Sequence, residues 1–167
     1  GDFAGSERLL REGLTAATRV LPAPYPLVAT MRTRLADQLA ERDDGWPEAE
    51  RHYRAALAET RAALGPAHPR TLDALRDVGY ALATHGLHDE GERMLREALD
   101  VGLRLHGPRH PSVAYSMSGL SQALAARGLV VEADRLTPAT SSQRQMANDL
   151  HRGLELLICG LLQKNSS

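Results

Sequence analysis

Histidine is the residue type in this sequence with the clearest capacity for metal binding or proton transfer. The histidines include two close pairs, His85 with His88 and His106 with His110. Each pair flanks a glycine turn, so neither has the four-residue spacing on one continuous helix that a helical zinc motif requires. We therefore expect no metal site.

Other catalytic signatures are absent from the sequence as well. It contains no glycine-rich phosphate loop, and no serine or cysteine stands in a recognisable nucleophile motif. We expect no catalytic residue, no cofactor and no enzymatic activity. His68 and His110 fill equivalent positions before a proline, which indicates a structural task such as capping the following helix.

The elements that carry these residues form a tandem array. The segment AERHYRAALAETRAALGPAHP, residues 49–69, returns 42 residues later as GERMLREALDVGLRLHGPRHP, residues 91–111. An earlier copy, SERLLREGLTAATRVLPAPYP, occupies residues 6–26, and a fourth begins at Ala133. Self-similarity at a fixed period of this size is typical of repeat architectures.

Each copy predicts an amphipathic helix that ends at a fixed turn. In residues 49–64 small and apolar residues recur at spacings of three and four, which places them on one helix face. Gly65 and Gly107 suit the left-handed cap conformation, and the proline after each cannot continue the helix. A second proline then suits the first position of the next helix, at Pro26, Pro69 and Pro111.

Two helices per period predict an all-α solenoid of antiparallel helix hairpins over residues 1–136. The first helices are expected at 26–42, 69–85 and 111–127, the earliest of them followed by a turn at 43–45. Residues 1–20 are expected to form a second helix whose own first helix is missing. The initial glycine suggests a fragment or a processed chain.

Composition limits the other classes of protein. Apolar residues make up 43% of the chain but aromatic residues only 4%, which predicts a core of mostly Leu and Ala. A formal net charge of −1 with interleaved signs argues against nucleic acid or an anionic membrane as partner. The sequence has no signal peptide and no apolar run long enough to span a membrane, so we expect a cytoplasmic protein.

The tail, residues 137–167, departs from this pattern. It contains every Lys, Ile, Asn and Cys of the chain, whereas the Arg- and Ala-rich remainder suggests a GC-rich bacterial genome. Pro138 interrupts the helix that begins at Val130, and a new apolar stripe follows at Met146, Leu150, Leu154, Leu157 and Leu161. Three alternatives remain for this segment: a cap on the last repeat, an association element that makes homo-oligomers, or an expression remnant.

The array resembles tetratricopeptide repeats of the kinesin light chain type. The shared features are the period of 42, the turns LGPAHP and HGPRHP, and the small residues at Ala49, Gly91 and Ala133. The resemblance implies a right-handed superhelix whose first helices line a concave groove that binds peptides or helices of partner proteins. Similar arrays are attached to bacterial signalling proteins, including kinases and transcription regulators.

The resemblance also assigns residues to the groove. In members of the family an Asn just before the inner Leu of the first helix clamps a peptide backbone, whereas Arg34, Asp77 and Gly119 stand there in this chain. That departure favours side-chain recognition of a helix or folded partner. The predicted groove residues are Thr30, Arg34, Asp37, Asp73, Arg76, Asp77, Tyr80, Tyr115, Ser118 and Gln122.

Several of these residues have an alternative structural interpretation. Tyr80 and Tyr115 would serve equally well as packing residues between helices, and the charged residues as an ordinary solvated face. For the whole chain, the leading hypothesis is a noncatalytic scaffold that binds a protein or peptide partner. The alternative is a regulatory or self-association segment of a larger bacterial signalling protein.

Overall fold

Seven α-helices joined by short turns form the part of the chain that the computed structural model describes, residues 3–136. Each helix packs against the next one along the chain, and α4 also contacts α6. The predicted all-α solenoid of helix hairpins is confirmed. The helices are α1 (Phe3–Val20), α2 (Pro26–Ala40), α3 (Trp46–Leu64), α4 (Pro69–Thr84), α5 (His88–His106), α6 (Pro111–Ala126) and α7 (Val130–Leu136).

The first helices of the hairpins, α2, α4 and α6, begin at the predicted prolines. They end one or two residues before the predicted positions 42, 85 and 127. After α4, His85 already has φ −101° and ψ 24°, because the chain leaves helical geometry as it enters the turn. Differences of this size are usual at helix ends, which fray.

The glycine turns correct one detail of the prediction. Gly65 and Gly107 have positive φ values of 84° and 75°, but their ψ values are 166° and 170°. This is the extended region with positive φ, which glycine alone occupies readily, and not the left-handed helical region. The difference follows from the proline directly after each glycine, Pro66 or Pro108, because a proline disfavours helical ψ values in the residue before it.

His68 and His110 cap the helices that follow them, as predicted. The Nδ1 atom of His68 accepts a hydrogen bond from the backbone N–H of Arg70 at 3.1 Å, and His110 does the same for Ser112 at 3.2 Å. These amides belong to the first turn of a helix and have no intrahelical partner. Tyr25 holds the equivalent position before α2 without a side-chain hydrogen bond.

Leucine and alanine dominate the core. The larger apolar cluster extends from Leu14 in α1 to Ala98 in α5, and a second cluster joins α4 and α5 to α6 and α7. Small residues at Ala49, Gly91 and Ala133 are buried where two helices approach each other. Short side chains at these positions bring the helix backbones close together, which suits a core with few aromatic residues.

Ion pairs join each second helix to the next. Arg11 of α1 donates two hydrogen bonds to Glu48 of α3, at 2.6 and 2.8 Å, and Arg54 of α3 binds Glu90 of α5 with the same two distances. Arg96 of α5 donates one hydrogen bond to Glu132 of α7. We call these contacts the inter-repeat clasps.

The predicted boundary at residue 137 and the predicted tail helix lie outside the described residues. Within residues 3–136, no helix is long and apolar enough to cross a membrane.

Candidate functional site

A groove of about 1120 Å³ runs across the first helices of the three hairpins. Its walls come from the C-terminal end of α2 and from most of α4 and α6, with Tyr53 of α3 between α2 and α4. The first helices line it as the resemblance implied. Among the residues that line it are eight of the ten predicted ones, namely Asp37, Asp73, Arg76, Asp77, Tyr80, Tyr115, Ser118 and Gln122.

The other two predicted residues, Thr30 and Arg34, line a smaller adjoining cavity of about 440 Å³. This cavity lies between the N-terminal halves of α2 and α4 and shares Asp37, Asp73 and Asp77 with the groove. The fold therefore brings the predicted residues onto one continuous surface. That they contact a partner stays a prediction.

Side chains at equivalent positions of successive repeats lie next to one another across the groove, and we call each of them a rung. Asp37, Tyr80 and Gln122 are separated by 43 and 42 residues, one repeat each, and all three line the groove. The Tyr80 hydroxyl donates a hydrogen bond to Oε1 of Gln122 at 3.2 Å, which shows that neighbouring rungs are within side-chain reach.

Tyr53 supports the α2 side of the groove from behind. Its ring is buried, with 5% of the residue exposed, and its hydroxyl donates a hydrogen bond of 2.7 Å to Asp37. Burial raises the pKa of Tyr53, and the Asp37 carboxylate raises it further, so the hydroxyl remains a donor. Tyr53 lies in the segment 49–64, whose small and apolar face predicted burial. Its hydroxyl group was the one feature of the sequence that could indicate this hydrogen bond.

Arg76 lies between two carboxylates of its own helix. It donates hydrogen bonds to Asp73 at 3.1 Å and to Asp77 at 3.0 and 3.1 Å. Burial among neighbouring atoms raises the pKa of Asp77, while Arg76 opposes that effect. The guanidinium is thus engaged within α4 and is not a free cation in the groove.

Tyr80 and Tyr115 project from the groove walls into solvent. The exposed fraction is 41% for Tyr80 and 65% for Tyr115. Neither ring is packed between helices, in contrast to Tyr53. Both tyrosines line the groove, and their contact with a partner stays a prediction.

The histidine pairs have local packing partners. The rings of His106 and His110 stack with centroids 4.2 Å apart, and His85 stacks on Trp46 at 3.8 Å with an angle of 4° between the planes. Among the described residues, no three His, Cys, Asp or Glu side chains come together as a possible metal site.

The positions at which members of the family carry the peptide-clamping asparagine are 34, 77 and 119. In this chain the three residues there differ in type and in location. Arg34 lines the smaller cavity, Asp77 lies where the two cavities meet, and Gly119 is buried in the α6 wall. A carboxylate and a guanidinium bind side chains by charge, whereas an amide can bind both groups of a peptide backbone.

Comparison with protein families places the chain in a known repeat class. Two tetratricopeptide repeat models match it, over residues 27–90 and residues 71–112. The chain belongs to the tetratricopeptide repeat family, whose members generally mediate protein–protein interactions and are typically non-enzymatic. The comparison with curated proteins finds no significant match.

Solved structures show the same fold. The chain is similar to a protein of Podosopora anserina described as a kinesin light chain with nearly identical TPR-like repeats, at 20% identity and a TM-score of 0.71, covering 93% of this chain and 87% of that one. It is also similar to BtubC (BKLC) from P. vanneervenii, at 19% identity and a TM-score of 0.75, covering 89% of this chain and 59% of that one. The helical array therefore has the fold of a tetratricopeptide solenoid, and it is similar to the repeats of these two proteins.

Proposed function

We propose that this chain is a noncatalytic interaction module that binds a peptide or helix of a partner protein in the groove between α2, α4 and α6. The observation that supports the proposal most directly is the groove itself, about 1120 Å³ in volume and walled by the first helices. Pockets for small molecules usually enclose most of their ligand. This groove is instead open along three helices, which suits an extended or helical segment.

The two exposed tyrosines supply the natural anchors for such a segment. Tyrosine offers a large, rigid contact surface with a polar tip, and it is enriched among the residues that dominate binding energy at interfaces. Tyr80 and Tyr115 stand on neighbouring first helices, so a partner segment lying across the groove would contact both.

Site-specific crosslinking tests this proposal. A photo-crosslinking amino acid is placed at Tyr115 in the groove or, as a matched control, at Leu105, which is 38% exposed on α5 outside the groove. In cells that carry the gene, we expect a defined protein to be crosslinked from position 115 and not from position 105. Adding Tyr80→Ala should reduce the yield from position 115. Equal crosslinking from both positions, or from position 105 alone, would contradict the groove as the binding surface.

A further inference from the structure

The charge of the groove is unevenly distributed. Its lining contains four carboxylates, Asp37, Glu41, Asp73 and Asp77, against one guanidinium, that of Arg76. Asp73 and Asp77 already bind Arg76 within α4. Two of the three excess negative charges therefore lie on the α2 wall, and one remains on α4.

Two carboxylates of that wall have no cationic partner within residues 3–136. Asp37 accepts only the neutral hydroxyl of Tyr53, and no ion pair forms at Glu41, although Arg42 follows it directly. The guanidinium of Arg42 binds Glu7 and Asp44 instead. Asp37 and Glu41 are one helical turn apart, an arrangement of like charges that destabilises a helix. A cation supplied from outside would relieve this repulsion.

The neighbouring rung provides a platform for such a cation. Tyr80 occupies the position equivalent to Asp37 on the next first helix, and 41% of it is exposed in the same groove. Ammonium and guanidinium groups bind favourably to the face of a tyrosine ring. A Lys or Arg side chain entering the groove would thus meet an aromatic ring and the two carboxylates of α2.

Among the described helices, the α6 wall carries no charge that would oppose this arrangement. Its groove residues after the cap are Pro111, Ser112, Tyr115, Ser118, Gly119 and Gln122. The arginines Arg34 and Arg70 lie at the far end, in the smaller cavity. The charge of the groove is therefore complementary to a basic segment. This acidic region does not extend to the N-terminal ends of α2 and α4, where the two arginines lie.

We propose that the groove selects partner segments carrying Lys or Arg side chains, which bind Asp37 and Glu41 beside the ring of Tyr80. This inference rests on the proposed function, since it names the chemistry of the segment that the groove would hold. Like-charged acidic segments would be rejected by the same carboxylates, so the site discriminates by repulsion as well as by attraction.

A displayed library of random peptides, selected on the immobilised full chain, tests the proposal. We expect the enriched peptides to be basic and their binding to weaken as salt is raised. Asp37→Asn with Glu41→Gln should weaken them by at least about fivefold, the loss typical of a residue that matters at an interface. Both replacements keep the size of the side chain, and the amide oxygen introduced by Asp37→Asn can still accept the hydrogen bond from Tyr53.

A control variant removes the same amount of charge elsewhere. Glu12→Gln with Asp100→Asn takes two negative charges from exposed positions on α1 and α5, and it should leave the affinity nearly unchanged. Equal losses in both double variants would show a general charge effect and would overturn the inference.

The two proposals fail in different ways. Enriched peptides that are acidic or uncharged, yet depend on Tyr80 and Tyr115, would overturn the basic-segment inference and leave the groove function standing. Basic peptides that need the tyrosines but tolerate loss of Asp37 and Glu41 would do the same. Peptides insensitive to every groove substitution, or the absence of any enriched peptide, would count against both.

Discussion

Single residues decide how closely the helices of this array approach. At Gly91 a Cβ atom would lie 2.5 Å from the carbonyl oxygen of Gly79 and 2.6 Å from the backbone nitrogen of Ala83. Both contacts are with backbone, which cannot move without displacing a helix. In the other repeats, alanines at 49 and 133 occupy the equivalent position.

We therefore predict that Gly91→Ala destabilises the protein by about 1–3 kcal/mol through overpacking, although alanine is the better helix former. Gly13→Ala is the matched control, because its Cβ would meet only the terminal methyl of Met31, at 2.8 Å. That methyl ends a flexible side chain, so the control should be neutral or gain up to about 1 kcal/mol. Urea unfolding of both variants measures the difference, and a stabilised Gly91→Ala would show that the helices are farther apart than described.

The capping histidines show how a residue can resemble a catalytic one and have a structural role. Both His68 and His110 precede a helix and accept a backbone hydrogen bond through Nδ1. Their position before a proline in a repeated turn was enough to predict this role from the sequence. The stack of His85 on Trp46 was not predicted, because it joins residues 39 positions apart whose relation depends on how α3 and α4 pack.

At the scale of the helix, the inter-repeat clasps connect the second helices along the outside of the array. Glu50 with Arg54 and Glu92 with Arg96 lie four residues apart and form ion pairs that stabilise their own helices. Each of these arginines also reaches a glutamate of the following repeat, at Glu90 or Glu132. The same side chain thus supports one helix and aligns it with the next.

The clasp between Arg11 and Glu48 gives a pH prediction. Hydrogen bonds from Arg11 lower the pKa of Glu48 to about 2, from an ordinary value of 4.5. Because the folded-state pKa is the lower one, the contact stabilises the protein above the unfolded-state pKa, and this contribution is lost as the pH falls toward 2.

We expect Glu48→Gln to cost about 0.2–1 kcal/mol at neutral pH, the range for exposed ion pairs, and the cost to shrink between pH 4.5 and 2. Chemical denaturation of both proteins across this range measures it. Glu12→Gln serves as control, since Glu12 forms only an exposed pair within α1 and makes no clasp. A cost that stays constant with pH would mean that the clasp contributes through packing and not through charge.

The part of the chain that the structure describes, residues 3–136, is a one-dimensional array in which each helix is stabilised mainly by its neighbours. The central helix α4 contacts α3, α5 and α6 and has eight buried residues, whereas α7 contacts α6 and has one, Ala133. Apolar side chains are also exposed around the start of α7, at Leu129, Val130 and Val131.

Native-state hydrogen exchange should reveal this gradient. We predict the slowest amide exchange in α4 and its partner α5, and faster exchange in α1 and α7, because each of those two packs against only one other described helix. Mass spectrometry of exchanged fragments resolves the helices individually. Protection in α7 equal to that in α4 would contradict a nearest-neighbour array over the described residues.

Much of this architecture follows from the sequence by itself. The repeat period, the hairpin topology, the proline starts, the glycine turns and the histidine caps all depend on residues within one helix or turn of each other. Local backbone chemistry specifies such features, so they appear in the sequence as spacing and residue type. The general location of the groove followed from the resemblance, because a repeated hairpin directs equivalent helices to the same side.

Only the tertiary structure decided how charges and hydroxyls are paired. The Tyr53 contact with Asp37, the clasps, and the carboxylates of α2 that lack a cation among the described residues depend on side chains brought together from different helices. Successive residues of a helix point about 100° apart, so an error of one residue in the register assigns the wrong face. Helical periodicity alone therefore does not determine these partners. Packing of one hairpin on the next fixes that rotation, and with it the chemistry that the groove presents.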